Sequence, residues 1–361
     1  MAPAPTLRTL ASLAEVAALD HDAVIDVRSP AEFAEDHLPG AINLPVLDDA
    51  ERARVGTIYK QQSPFLARKI GAALVARNAA RHLEGPLAAL SGGWRPLVYC
   101  WRGGQRSGAF ATILAQVGWR VEVVEGGYKS WRRLVVEMLH DRPVPSPVVV
   151  LDGNTGSAKT ELLGLLARRG MQVIDLEALS NHRGSLFGAM PGGQPSQKAF
   201  EGRLAMALAL LDTARPVLVE AESSKVGDLA LPKQLWAAMR AAPRIHVAAP
   251  VEARAAYLVR AYADLTEDRA RLAAVIESLR PLHPADVIER WHNLAAKGDF
   301  VSLAAELMVR HYDPRYAKHR ARFADVRAAV VEASSLAPDA LVCLADRIAA
   351  LVTGMTVAGK A

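Results

Sequence analysis

The chain has 361 residues, 51% hydrophobic and 22% charged, with 43 Lys+Arg against 38 Asp+Glu for a net charge of +5. At roughly 150 residues per domain this predicts about two globular domains, and the apolar content excludes disorder of the whole chain. No stretch approaches the ~18 consecutive apolar residues of a membrane span, Met1 to Asp20 lacks the apolar run of a signal peptide, and the slight basic excess permits a polyanionic partner without demanding one.

A helical pattern (Leu10, Leu13, Val16, Leu19) opens the chain and a strand, Ala23 to Val27, follows. A second strand at Pro96 to Cys100, a helix at Arg106 to Val117 and a strand at Val121 to Val124 continue the alternation. That order predicts an α/β fold with a parallel sheet. Asp141 to Pro147 holds three prolines in seven residues and reads as a linker. The expected domains are therefore 7–140 and 148–361, joined by 141–147. The second opens with Val148 to Leu151, an unbroken apolar run suited to a buried parallel strand. Gln172 to Ile174, Val217 to Val219 and Arg244 to Val247 are further strands, and from Glu252 to about Val352 the pattern is helical. Two distant cysteines make no zinc ribbon, redox pair or disulfide framework, which predicts free thiols in a cytoplasmic protein. Cys343, between Leu341 and Leu344, is expected in the core.

Cys100-Trp101-Arg102-Gly103-Gly104-Gln105-Arg106-Ser107 follows a strand and opens a helix. Arg102, Gly103, Gly104, Gln105 and Arg106 would form an anion cradle. The glycines let successive N–H groups converge, the helix start adds its dipole, and the arginines add charge. A thiol in that field is expected to ionise easily and act as a nucleophile on a sulfur-, selenium- or phosphorus-bearing anion. Asp26-Val27-Arg28-Ser29-Pro30-Ala31-Glu32-Phe33 and His37-Leu38-Pro39-Gly40-Ala41-Ile42-Asn43-Leu44-Pro45 resemble the N-terminal signature of rhodanese domains, and Cys100 stands where that family's active-site loop belongs. The loop is one residue longer than common rhodanese loops and reads Cys-x5-Arg, the pattern of phosphatases and arsenate reductases.

Leu151-Asp152-Gly153-Asn154-Thr155-Gly156-Ser157-Ala158-Lys159-Thr160 lies between a strand and an amphipathic helix, the context of a phosphate-binding P-loop. Gly153, Asn154, Thr155, Gly156, Ser157 and Ala158 would offer backbone N–H groups, Lys159 its charge and Thr160 a hydroxyl for Mg²⁺. Ala158 replaces the pattern's second glycine and is expected to fit if its φ stays negative. No Walker B aspartate is present, so Glu220 or Glu222 would have to serve. Asn181, His182 and Arg183 follow a strand, at the ligand edge of an open sheet. His311, Arg315, Lys318, His319, Arg320 and Arg322, with Tyr312 and Tyr316 between, form a basic stretch suited to phosphate contact and base stacking, or equally a solvated helix face.

The rhodanese and P-loop modules together, with Asp175 to Gly188, Glu222-Ser223-Ser224-Lys225-Val226-Gly227 and Tyr312-Asp313-Pro314-Arg315-Tyr316, resemble the tRNA 2-selenouridine synthase family from about Asp26 to Tyr316. The resemblance implies a transferase that converts wobble 2-thiouridine of tRNA to 2-selenouridine through an S-geranylated intermediate, with geranyl diphosphate and selenophosphate as co-substrates and no tightly bound cofactor. It implies that Cys100 handles selenium, that Arg102 to Arg106 hold selenophosphate and that Gly153 to Thr160 hold the prenyl diphosphate. The competing expectation is a rhodanese-type sulfurtransferase or Cys-x5-Arg phosphatase with a nucleotide-binding regulatory domain. No membrane partner is expected, and oligomeric state is open.

Overall fold

The computed structural model describes residues 4–320 and 327–358. They form two compact units: Met1–Asp141 with Pro195–Leu210, and Arg142–Gln194 with Leu211–Ala361.

The first unit runs β1 (Thr6–Arg8), α1 (Leu13–Ala17), β2 (Ala23–Asp26), α2 (Pro30–Glu35), β3 (Ala41–Asn43), α3 (Asp49–Gln61), α4 (Pro64–Glu84), β4 (Pro96–Tyr99), α5 (Gln105–Val117), β5 (Glu122–Val124) and α6 (Tyr128–Val136). Its five strands lie parallel in the order β1-β5-β4-β2-β3. Central β4 is buried throughout, as a strand covered on both faces must be. Strand β1 was not expected from the sequence, and neither was the α3–α4 hairpin. The hairpin's ends are nevertheless explicit: Asp48 and Glu51 cap α3 reciprocally. Ser63 accepts from Leu66 N–H at the start of α4, with Pro64 as its first residue.

A buried ion pair closes the turn after β2. Arg28 is 1% exposed and grips Asp26 with Nε and Nη2 at 2.9 and 2.6 Å. Its guanidinium also donates to Asp36 O and lies 4.1 Å from the Tyr128 ring centroid. Asn43 ties the same turn by donating to Asp26 O and Arg28 O, each at 2.9 Å.

The second unit begins with β6 (Val148–Gly153), α7 (Lys159–Arg168), β7 (Gln172–Ile174) and α8 (Leu176–Ser180). Then α9 (Gln197–Ala209) returns to the first unit. The chain goes on through β8 (Val217–Glu220), the short ribbon β9 (Lys225–Val226) and β10 (Leu229–Ala230), α10 (Lys233–Ala241), β11 (Arg244–Ala248) and α11 (Val251–Ala261). It ends with α12 (Ala263–Glu267), α13 (Arg269–Glu277), α14 (Ala285–Lys297), α15 (Phe300–Leu307), α16 (Asp313–Arg320), β12 (Arg327–Glu332) and α17 (Pro338–Ala358). The sheet is parallel, in the order β12-β11-β6-β8-β7.

Three expectations are corrected here. The span 148–361 loses residues 195–210 to the first unit, because Arg132 pairs with Glu201 and Gly202 lies where a Cβ would stand 3.1 Å from the Trp131 ring. The helical C-terminal stretch is interrupted by β12, which completes the sheet beside β11. Cys343 is exposed, because Leu341, Leu344, Ala345 and Ile348 form the core stripe of α17 and a 100° step per residue turns Cys343 away from it. Among the described residues no helix is long and apolar enough to cross a membrane.

Replacing Arg28 with Ala leaves the Asp26 carboxylate buried and unpaired. The expected loss is about 3–5 kcal/mol of stability, read as a lower midpoint in urea unfolding.

Candidate functional site

Strand β4 delivers Cys100 to the sheet's carboxyl edge, where the thiol is free and 3% exposed. The loop is braced from the end of β5. Tyr128 N–H donates to Cys100 O at 2.8 Å and Lys129 N–H to Trp101 O at 3.2 Å. The approach demands glycine: at Gly127, φ +60°, a Cβ would lie 2.3 Å from Cys100 O, and at Gly103, φ +64°, 2.6 Å from Val124 O. The Ser107 hydroxyl and Gly104 N–H point at Sγ, at 3.2 and 3.4 Å. Burial raises the thiol's pKa, but bonds from the Ser107 side chain and from the Ser107, Arg102 and Gly104 backbones outweigh it and leave the pKa lowered. The thiol of the expected nucleophile thus sits among donors that favour its ionised form. The expected cradle is only partly formed by the side chains named for it. Arg106 turns to Glu32, at 2.7 Å, because that carboxylate sits at the start of α2 beside the loop. Arg102 and Gln105 are exposed. Ser107, absent from the expected set, sits on the first turn of α5, which is what aims it at Sγ.

In the second unit the loop after β6 has the P-loop shape. Lys159 Nζ reaches back to Gly153 O at 3.1 Å. Gly156, φ +81°, passes so close to α11 that a Cβ would meet Leu258 at 2.9 Å, and at Gly153 a Cβ would meet Ser157 Oγ at 2.3 Å. Ala158 corrects an expectation: its φ is +59°, not negative. The alanine adopts the left-handed conformation a glycine would take, at a cost of about 1–2 kcal/mol, so the loop keeps its shape under strain.

Glu177 and Glu222 face the cavity with Lys159, and Glu220 lies behind Glu177. Thr160 donates to Glu177 at 2.7 Å, and Glu177 N–H donates to Glu220 at 2.8 Å. Glu220 is fully buried and its Oε2 has no partner among the described residues. Burial, with Asp175 and Glu177 nearby, pushes its pKa well up. It backs the site without entering it. Burial also raises Glu177, and burial with Glu177 nearby raises Glu222 to about 8, while Lys159 partly offsets both. Lys159 itself is held charged: burial opposes this, but Tyr316, Glu177, Glu222 and Asp152 together prevail. Gly184, φ +65°, closes over the pair, where a Cβ would come within 2.6 Å of Glu222 and 2.8 Å of Glu177. Glu177 was not expected as a site residue. Its signal was its place just after β7, at the same sheet edge as the P-loop.

These groups line a cavity of about 480 Å³ together with Arg183, Tyr257, Tyr262 and Tyr316. Of the three residues expected near a substrate, Arg183 faces it, paired with Asp264 at 2.9 Å and over the Tyr262 ring at 4.7 Å. Asn181 instead caps α8 with φ +48° and donates to Pro191 O and Gly193 O. His182 accepts Gly184 N–H at 3.1 Å. Both shape the loop because its reversal leaves backbone groups that need partners.

The C-terminal aromatics turn toward the P-loop. A π-helical turn at Met308–Tyr312 sets Asp313 against the P-loop, where it binds buried Arg254 at 2.8 Å and Asn154 at 3.0 Å. Tyr316 therefore stands over Lys159, 5.9 Å from ring centroid to Nζ, and Tyr312 lines an apolar crevice. Neither is a surface stacking platform. Arg315 is held on His311, at 2.7 Å to the ring and 2.8 Å to the carbonyl. Side chains of Lys318, His319 and Arg320, and all of Arg322, lie outside the described residues.

Ser107→Ala removes a bond that favours the thiolate, so the thiolate fraction at neutral pH falls. Iodoacetamide labelling of Cys100 should then show its inflection moved to higher pH and a slower rate at pH ~7. At the strained alanine, Ala158→Gly relieves the left-handed strain but loses a buried methyl and gains chain entropy, for a net change within about 1 kcal/mol. Ala158→Val should cost about 2 kcal/mol or more in thermal unfolding.

The family models match two domains in this order along the chain. Residues 9–134 match the rhodanese-like domain, and residues 146–280 match the tRNA 2-selenouridine synthase AAA domain. A tRNA 2-selenouridine synthase of Shewanella halifaxensis is 37% identical over 246 residues, 67% of this chain and 66% of that protein. One of Shewanella frigidimarina is 36% identical over 249 residues, 68% of this chain and 67% of that protein. The matched stretch thus spans about two thirds of the length of these curated relatives. Among solved structures, the N-terminal domain of a Clostridium difficile 630 protein described as ATP/GTP binding is 34% identical over 37% of this chain and all of its own, with a TM-score of 0.32. With both domains matched in order and two thirds of a relative covered, the chain belongs to the tRNA 2-selenouridine synthase family.

Proposed function

We propose that this protein modifies the wobble 2-thiouridine of tRNA in two steps, S-geranylation at the P-loop cavity and replacement of the geranylthio group by selenium at the Cys100 loop. One observation carries the choice of a prenyl diphosphate over a nucleotide. The phosphate cavity shares Thr155, Ser185, Leu258 and Tyr262 with an apolar crevice lined further by Phe187, Phe300, Leu307 and Met308. A diphosphate on the loop would direct its tail into that crevice. The crevice encloses about 80 Å³ as it stands, and flexible side chains such as Met308 allow it to widen around a chain.

In the first step the sulfur of 2-thiouridine bonds to C1 of the geranyl group as the C1–O bond breaks. Lys159 and the loop N–H groups take the growing negative charge of the leaving diphosphate. The N3 proton passes to the Glu177–Glu222 pair, whose ionised member accepts it. This needs no water-activating aspartate, consistent with Glu220 standing buried at that strand end. Among the described residues no three acidic, histidine or cysteine side chains gather as a metal site. The donors fit Mg²⁺ only alongside a bound diphosphate, with Thr160 Oγ1 as protein ligand, where it would add charge neutralisation. In the second step a C2–Se bond forms, the C2–S bond breaks and geranylthiol leaves. The selenium of selenophosphate makes that bond, and water then takes the phosphoryl group as the Se–P bond breaks, which releases phosphate and leaves the selenocarbonyl. The lowered pKa of Cys100 suits it to handle that selenium.

Cys100→Ser should abolish 2-selenouridine while S-geranyl-2-thiouridine still forms. Lys159→Ala should lower geranylation at least 100-fold, since it removes a charge aimed at the leaving group. Mass spectrometry of nucleosides from treated tRNA reads both. Normal 2-selenouridine from the Cys100 variant, or brisk turnover of ATP, thiosulfate or aryl phosphate by the unaltered protein, would overturn the reading.

A further inference from the structure

The α3–α4 hairpin carries a charge asymmetry that neither loop uses. Its acids at the start of α3 are engaged, with Asp48 and Glu51 capping the helix and Asp49 accepting from Ala31 N–H at 3.1 Å, and Glu84 stands apart at the far end of α4. Its cations are not. Arg54, Lys60, Arg68, Lys69 and Arg77 are exposed and have no ion-pair partner among the described residues. Arg52 has only a long contact to Glu32, at 3.6 Å, and is half exposed.

Between α3, α4 and the start of α5 runs a groove of about 630 Å³. Arg52, Lys60 and Arg68 lie along it, and Gln105 and Arg106 close one end. Those two residues are the first turn of α5, directly after the Cys100 loop. The floor is low because Gly56 and Gly71 carry no side chain; a Cβ on Gly56 would meet nothing within 4 Å. At the rim stands Tyr59, 56% exposed, and at the hairpin's turn Phe65, 70% exposed.

We propose that this groove is the docking surface for the single-stranded RNA segment whose base is presented to Cys100. Lys60, Arg68 and Arg52 hold successive phosphates and Tyr59 stacks on a base. Charge selects the occupant: unpaired cations along a groove with an aromatic at its rim match a polyanion with flat bases better than an apolar or acidic-helix partner. The groove's end at α5 gives the strand a direction, toward the thiol. The inference rests on the reading that the substrate is tRNA, and locates its contact on this hairpin instead of the Tyr312–Arg322 stretch.

The test measures binding of transcribed tRNA to the full chain over a salt series. For Lys60→Gln/Arg68→Gln, loss of two phosphate contacts should weaken binding about 10–30-fold near 0.1 M salt and make the log–log salt slope shallower by about 1.5. Tyr59→Ala should weaken binding at least 5-fold with the slope unchanged, since stacking releases no counterions. The Cys100 labelling rate and the unfolding midpoint should stay as in the unaltered protein, which separates lost docking from lost folding. If the unaltered protein binds tRNA and the double variant binds it equally with the same slope, the groove is not the docking surface, although the substrate reading stands. If the unaltered protein binds no tRNA but binds an acidic protein through this groove, both fail.

Discussion

Lys159 is the point on which the second unit depends. An ammonium set deep beside a sheet edge needs anionic compensation, and bare carboxylates gathered around it would repel one another. The structure resolves this by grading the acids. Glu220, at the end of β8, is shut away from water, which pushes its pKa well up. Glu177 and Glu222 face the cavity with their pKa values raised. The result is a cation with spare capacity for a further anion, next to a pair able to take up a proton. Gly184 has no side chain because those two carboxylates occupy the space one would need. Asp313, reached only after a π-helical turn, fixes Arg254 and Asn154 and so brings Tyr316 over the lysine.

The first unit answers a related problem with different means. Its deepest charge, Arg28, is matched in the same turn by Asp26 and covered by the Tyr128 ring, so it is structural and not free to bind a ligand. The Cys100 loop then relies on backbone and hydroxyl donors: Gly104 N–H, Ser107 Oγ and the brace from Gly127 and Tyr128. Donors fixed by the fold favour the thiolate without presenting a full charge to it. Arg106, pinned on Glu32, holds the loop's base in place. In both units the reactive group stands at the carboxyl end of a central parallel strand, where the following helix begins and unpaired N–H groups are available.

Much of this was legible in the residues. Apolar strand runs alternating with helical patterns gave two parallel sheets, because burial on both faces leaves a continuous hydrophobic signal. The glycine–cysteine and glycine–lysine loops were visible because tight backbone curls demand particular residues. What could not be read depended on contacts distant in sequence. Arg106 looked like an anion ligand until Glu32, from another helix, claimed it. Tyr312 and Tyr316 looked like surface stacking groups until the chain's return placed them against a loop more than 150 residues earlier. Ala158 showed that the loop's shape can be imposed on a residue that does not favour it.

The sequence by itself determined the two α/β units, their order, the cysteine loop after a strand and the P-loop-shaped turn, because each is written in local periodicity or in a short run whose backbone geometry few residues permit. Only the tertiary structure decided that residues 195–210 join the first unit, that Cys343 faces outward, that Glu177 works beside Lys159 and that the α3–α4 hairpin presents unpaired cations. Those outcomes turn on which groups compete for the same partner in space, and that competition is settled only when distant segments pack together.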